Sequence, residues 1–214
     1  MDPETSFFLA RISSYIMIGP CVLSLFRFKS PFQVHKQLAF VVFLGAFISI
    51  AANFFNVVLQ MPNLFLLHIY TIFDFILLTL IFKDVLPQIV FKVLIFTFPL
   101  FAAVNSIFLE KLMTENVLNR SISAFLLMFY ALCFFTKTLG EMKIIHLERQ
   151  PMFWISVGVL FYNAGSFFIF LFSRVLTPIP ELWYTYFGIH AIFTIILYCF
   201  YTIALWVQPK ILPA

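Results

Sequence analysis

The sequence predicts an all-α membrane protein, a single bundle of seven transmembrane helices with its N-terminus outside and its C-terminus in the cytoplasm. Three observations lead there. Of 214 residues, 63% are hydrophobic and only 10% charged, with a mean hydropathy of +1.05, which is more apolar surface than a soluble domain of this length can bury. The apolar residues gather in seven runs, each close to the ~20 residues that cross a hydrocarbon core of ~30 Å. The basic residues sit mainly in the short connections and are divided unevenly between the two ends.

The first run, 6–27, follows Asp2 and Glu4, where a secretory signal would carry basic residues; no small-residue cleavage site follows, so the run is expected to be retained as a helix. Arg27-Phe28-Lys29-Ser30-Pro31 closes it. The second run, 37–60, stops at Met61-Pro62-Asn63, and the third, 64–83, ends in the Lys83 to Gln88 stretch with Pro87. The fourth, 88–109, is followed by the polar stretch from Glu110 to Asn119. The fifth, 117–137, has the least sharply marked end and can be read as far as Gly140. A charged segment from Lys143 to Pro151 precedes the sixth, 151–174, and Thr177-Pro178-Ile179-Pro180 precedes the seventh, 182–207.

Orientation follows from the basic residues. Arg27, Lys29, Lys36, Lys83, Lys92, Lys137, Lys143, Arg149 and Lys210 fall at the C-terminal side of the bundle, against Arg11, Lys111, Arg120 and Arg174 at the other. Nine of thirteen therefore favour an outside N-terminus. The formal charge of +4 is thus a topology signal, and no nucleic-acid surface is expected. Strands of an outer-membrane barrel would alternate polar and apolar residues, and these runs do not. Cys21, Cys133 and Cys199 occupy three different runs with no CxxC or CxxH spacing. With short connections and about seven residues after the last run, function is expected inside the bundle.

Polar side chains at membrane depth are costly and mark interior faces or cavities. Ser49, Asn53, Asn56 and Gln60 recur at four, three and four residues, one stripe on the second helix. Trp183, Tyr186, His190, Thr194 and Tyr201 form a polar-aromatic face on the seventh. Ser156, Asn163, Ser166 and Ser173 align on the sixth, where Gly158 and Gly165 can admit a close helix neighbour. The third helix holds His68, Tyr70 and Asp74, and Asp74 is the one carboxylate well inside a run. At a rise of about 1.5 Å per residue, His68 lies about 6 Å deep, Asp74 about 15 Å and His190 about 12 Å. Together with Asn105, Arg120 and Ser123, these place a polar cluster in the outer half. His68 lies about 120° around its helix from Asp74. Asp74 is read either as a ligand, ion or proton site, or as an interior carboxyl bonded to Tyr70. His68, Asp74 and His190 are the weak candidates for a metal such as zinc, since no HxxxH or HExxH pair supports them. Trp154, Trp183, Trp206, Tyr184 and Tyr186 lie near run ends, as interfacial belt residues do.

Leu67-His68-Ile69-Tyr70-Thr71-Ile72-Phe73-Asp74-Phe75, with Pro151-Met152-Phe153-Trp154-Ile155 running into Gly158, Tyr162, Gly165 and Phe170, resembles an uncharacterised family of small seven-helix bacterial inner-membrane proteins, over most of the chain. His68, Tyr70, Asp74, Trp154 and His190 match the family's pattern. The resemblance implies the bacterial inner membrane and an association with sensor kinases. Asp74 stands where glutamate is usual, and acidic residues expected in the second and fifth helices are missing.

The expected function is a receptor-like or sensory module that binds a small ligand or ion in an outward-facing pocket of His68, Tyr70, Asp74, Asn53, Asn56, Asn163, Tyr186 and His190, with the lipid bilayer around it and a sensor kinase or other membrane protein as signalling partner. An enzyme is the less favoured class; its form would be a metal-dependent intramembrane lipid hydrolase. A small-molecule or proton-coupled carrier is the third reading. Pro87-Gln88 resembles the proline-glutamine pair of small seven-helix carriers, but no second pair follows. Retinal is not expected, because no lysine lies between Glu181 and Pro209.

Overall fold

The computed structural model describes residues 1–141, 146–176 and 178–208. Lys143, Thr177, Pro209 and Lys210, used above as charge or break markers, lie outside the described residues. Among the described residues all regular structure is helical. Seven stretches are long and apolar enough to cross a membrane: Pro3–Arg27, Gln33–Val58, Leu64–Ile81, Gln88–Leu109, Val117–Glu141, Pro151–Leu176 and Glu181–Trp206. The fifth continues to Glu141, past the apolar run itself, and the second begins at Gln33 because the polar Gln33–Lys36 turn is already helical.

The first stretch is two helices, α1 (Pro3–Ile16) and α2 (Ile18–Arg27). Pro20 lacks an N–H and its ring meets the carbonyl of the residue four earlier, Ile16, so the helix breaks at Met17. Helix α3 (Gln33–Asn53) runs into a π-helical turn, Phe54–Val58, and α5 (Gln88–Val104) into another, Asn105–Leu109. Just beyond them Gln60 and Lys111 each take a positive φ of 52° to reverse the chain. The remaining helices are α4 (Leu64–Ile81), α6 (Val117–Glu141), α7 (Pro151–Leu176) and α8 (Pro180–Trp206).

The packing describes a ring. The α1–α2 pair lies beside α3, α3 beside α4, α4 beside α6, α6 beside α7, α7 beside α8, and α8 returns to α1 and α2; α5 stands outside, packed chiefly on α4. Two glycines set the α7–α8 spacing. A Cβ on Gly158 would lie 2.9 Å from the Phe200 Cβ, and one on Gly165 would fall against the Phe193 ring.

An odd number of long helical stretches puts the chain ends at opposite ends of the bundle. At the N-terminal end the Met1 amino group donates to Thr185 Oγ1 of α8 (2.9 Å). At the C-terminal end Arg27 donates through Nε to the Leu205 carbonyl (2.9 Å) and through Nη2 to that of Trp206 (3.0 Å), a cation on the negative end of α8. His35, fully buried, meets the Val207 carbonyl through Nε2 (3.1 Å) and Ser30 Oγ through Nδ1 (2.9 Å). The carbonyl only accepts, so Nε2 carries the proton and Ser30 donates. The C-terminal half is filled with apolar side chains, among them Leu38, Val42, Phe82, Ile155, Ala204 and Leu205. The outward faces carry exposed Phe26, Phe47, Ile50, Phe96, Phe108 and Phe168.

Candidate functional site: two cavities and a partition

The N-terminal half of the bundle is built differently. The ends of α3, α4, α6, α7 and α8 diverge around a vestibule of about 530 Å³, lined by Asn56, Asn63, Glu115, Asn116, Trp183, Tyr186 and Phe187, with Arg120, Phe170 and His190. Deeper lies a cavity of about 50 Å³, room for a few waters, lined by Tyr70, Asp74, Ser123, Tyr162, Asn163, Tyr198 and Tyr201. Arg120 and Phe170 border both spaces, so they form the partition between them.

The partition is held by contacts among α6, α7 and α8. The Arg120 guanidinium carbon sits 3.7 Å above the centre of the Phe170 ring, a cation–π contact. Arg120 Nη2 lies 3.2 Å from His190 Nε2, and the Tyr162 hydroxyl lies 3.2 Å from the same nitrogen. Arginine has no acceptor, so His190 Nε2 must accept and Nδ1 carries the proton. Phe170 and Tyr162 flank the imidazole with ring centroids 5.5 and 5.8 Å away. Below, Tyr70 and Asp74, one turn apart on α4, line the deeper cavity together with Arg120 of α6. Arg120 and Asp74 form no ion pair. Among the described residues the ion pairs are Arg174–Glu110 and the exposed His146–Glu148.

A second polar network ties α4, α5 and α6 beside the vestibule. His68 Nδ1 accepts from Ser106 Oγ (2.7 Å), while Nε2 donates to the Thr114 carbonyl (3.1 Å). Asn119 Nδ2 donates to Ser106 Oγ (3.0 Å), and Asn105 Nδ2 to Asn119 Oδ1 (3.0 Å) and to Glu110 Oε2 (2.9 Å). Glu110 Oε1 accepts from the Leu118 backbone N–H (2.9 Å) and from Arg174 (2.8 Å). Asn116 Nδ2 joins the Leu67 carbonyl and Thr71 Oγ1.

The structure therefore divides the residues singled out in the sequence. Tyr70, Asp74 and Asn163 line the deeper cavity, and Asn56, Tyr186 and His190 the vestibule. His68 belongs to the second network, with both ring nitrogens engaged. Asn53 is exposed and lines neither space. His68, Asp74 and His190 are not brought together: among the described residues no three His, Cys, Asp or Glu side chains are grouped as metal ligands. The sequence pattern puts Arg120 in the polar cluster without a partner, and assigns Phe170 and Glu110 no role. A cation one turn into the fifth helix is the signal for Arg120; Phe170 enters only as one residue of the resemblance, and helix spacing does not set it apart among 32 phenylalanines. Comparison with protein-family models, with curated proteins and with solved structures gives no match.

Proposed function

We propose that the protein is a receptor-like membrane module of a bacterial inner membrane, N-terminus outside, which binds a small ligand or ion in the vestibule and signals to a partner membrane protein or sensor kinase. The partition supports this reading most directly. A group arriving at Arg120 meets α6, and through His190, Tyr162 and Phe170 it meets α7 and α8. One binding event is thereby coupled to three helices whose far ends lie at the opposite side of the bundle. The packed C-terminal half, with Phe82, Ile155 and Leu205 buried, supports a sensor in preference to an open path.

Trp183 lines the vestibule, and replacing Trp154 and Trp206 by Phe leaves it as the sole tryptophan. In nanodiscs its emission is expected to change saturably with a vestibule ligand. Single cysteines at Asn63 and Lys83, in a background without Cys21, Cys133 and Cys199, test the orientation: an impermeant maleimide added to intact cells should label the first and spare the second. The reverse pattern would refute the topology.

A carrier is the second reading, favoured by the stacking of the two spaces with Asp74 on the deeper one. It requires substrate or proton flux in liposomes that Asp74→Asn abolishes.

A further inference from the structure

The Arg120 guanidinium offers five N–H donors, and its protein partners are a neutral imidazole nitrogen and the face of Phe170. Neither of these is an anion. Arg120 is half-buried and borders the vestibule, so with no counter-charge in contact its remaining donors are open to an anion. Asp74 shares only the deeper cavity, across which it makes no ion pair with Arg120. On the vestibule side the other charged group is Glu115, five residues earlier on the approach to α6, which already has an interaction of its own. The floor of the vestibule is thus a fork of donors bearing positive charge. Its wall is aromatic, with Trp183 and Phe187 stacked at 5.2 Å and 10°.

We propose that the vestibule selects small organic anions with a planar apolar body, the anionic group taken by Arg120 and the body lying along the Trp183–Phe187 wall. This rests on the vestibule being a binding pocket and names its ligand class. A carboxylate fits the guanidinium in a two-point fork, and about 530 Å³ leaves ample room for a single-ring acid. Asp74 lies on the other cavity that Arg120 borders, where its charge opposes a bound anion, so removing that charge strengthens binding.

The test uses the full chain in nanodiscs with Trp183 as sole tryptophan, titrated with benzoate, its neutral analogue benzamide and the cation benzylamine. Benzoate is expected to change the emission saturably and to bind at least about tenfold more tightly than benzamide, the difference that charge-assisted hydrogen bonds supply. Arg120→Gln should remove that preference, Arg120→Lys should keep part of it, and Asp74→Asn should enhance it. Benzamide or benzylamine binding as tightly as benzoate overturns the anion proposal while leaving the pocket standing. No response to any of the three overturns the pocket as well. If Arg120→Gln fails to fold, the benzoate–benzamide contrast on the unsubstituted Arg120 still decides.

Discussion

Glu110 is expected to be the single most stabilising carboxylate in the chain, because of the number and kind of donors it serves. Its side chain is 5% exposed and its two oxygens accept from three groups: the Leu118 N–H, Asn105 and Arg174. The first caps the opening turn of α6, where free N–H groups and the helix dipole both favour a carboxylate, and is worth about 1–2 kcal/mol. The second, a charge-assisted bond from a buried amide, contributes about 1–2 kcal/mol. The third is discounted, because the Arg174 side chain is 59% exposed and solvent-screened pairs contribute about 0.2–1 kcal/mol. Glu110→Ala should therefore cost about 3 kcal/mol, Glu110→Gln, which keeps an acceptor, about half of that, and Arg174→Ala less than about 1 kcal/mol. Reversible unfolding of the protein in mixed micelles with increasing sodium dodecyl sulfate, followed by circular dichroism, measures all three. An Arg174→Ala loss equal to that of Glu110→Ala would refute the capping argument and make the ion pair the main source of the stability.

Gly158→Ala should separate α7 from α8 and cost more than about 2 kcal/mol, since the new Cβ lies 2.9 Å from the Phe200 Cβ, which no rotamer change can move. Gly140→Ala, with nothing within 4 Å, should instead stabilise by about 0.5–1 kcal/mol. The same unfolding titration compares the pair. His68→Ala breaks two bonds of the second network and should lower stability by about 2 kcal/mol while leaving the Trp183 response to benzoate unchanged; a lost response would place His68 in the binding site. Arg27→Ala uncovers the last carbonyls of α8, and hydrogen exchange at the amides of residues 203–207 should quicken while exchange in α6 stays the same.

The seven stretches are legible in the sequence because each needs only length, apolar content and a break, and Pro31, Pro62, Pro87 and Pro180 stand at those breaks. The small residues of α7 are legible too: Gly158 and Gly165, seven apart, do face α8 closely. The stripe on the second helix is not, for a definite reason. Its spacing assumes an α-helix throughout, whereas the turn from Phe54 is π-helical, with more residues per turn, and turns Asn56 away from the line of Asn53. Gln60 leaves the helix altogether with φ of 52°. Depth alone suggests His68 as a pocket residue, but depth fixes only one coordinate; its azimuth carries it to Ser106 of the neighbouring π-helical turn. The partition is invisible in the sequence because it is a relation between α6, α7 and α8, and no single-helix pattern encodes which phenylalanine ends beneath Arg120.

The position of α5 outside the ring has a consequence for how the chain is put together. Six of the seven hydrophobic stretches can close on one another without it, α4 meeting α6 directly. During synthesis α5 must nevertheless emerge before α6, α7 and α8 exist to complete the ring. Its early anchorage is α4, through Phe98 against Phe75 with ring centroids 4.0 Å apart, and only when α6 arrives can Asn105 and Ser106 find Asn119. Maturation of this molecule thus has a latch that closes partway through assembly, and a defect at Asn119 should loosen α5 from α6 while its hold on α4 remains.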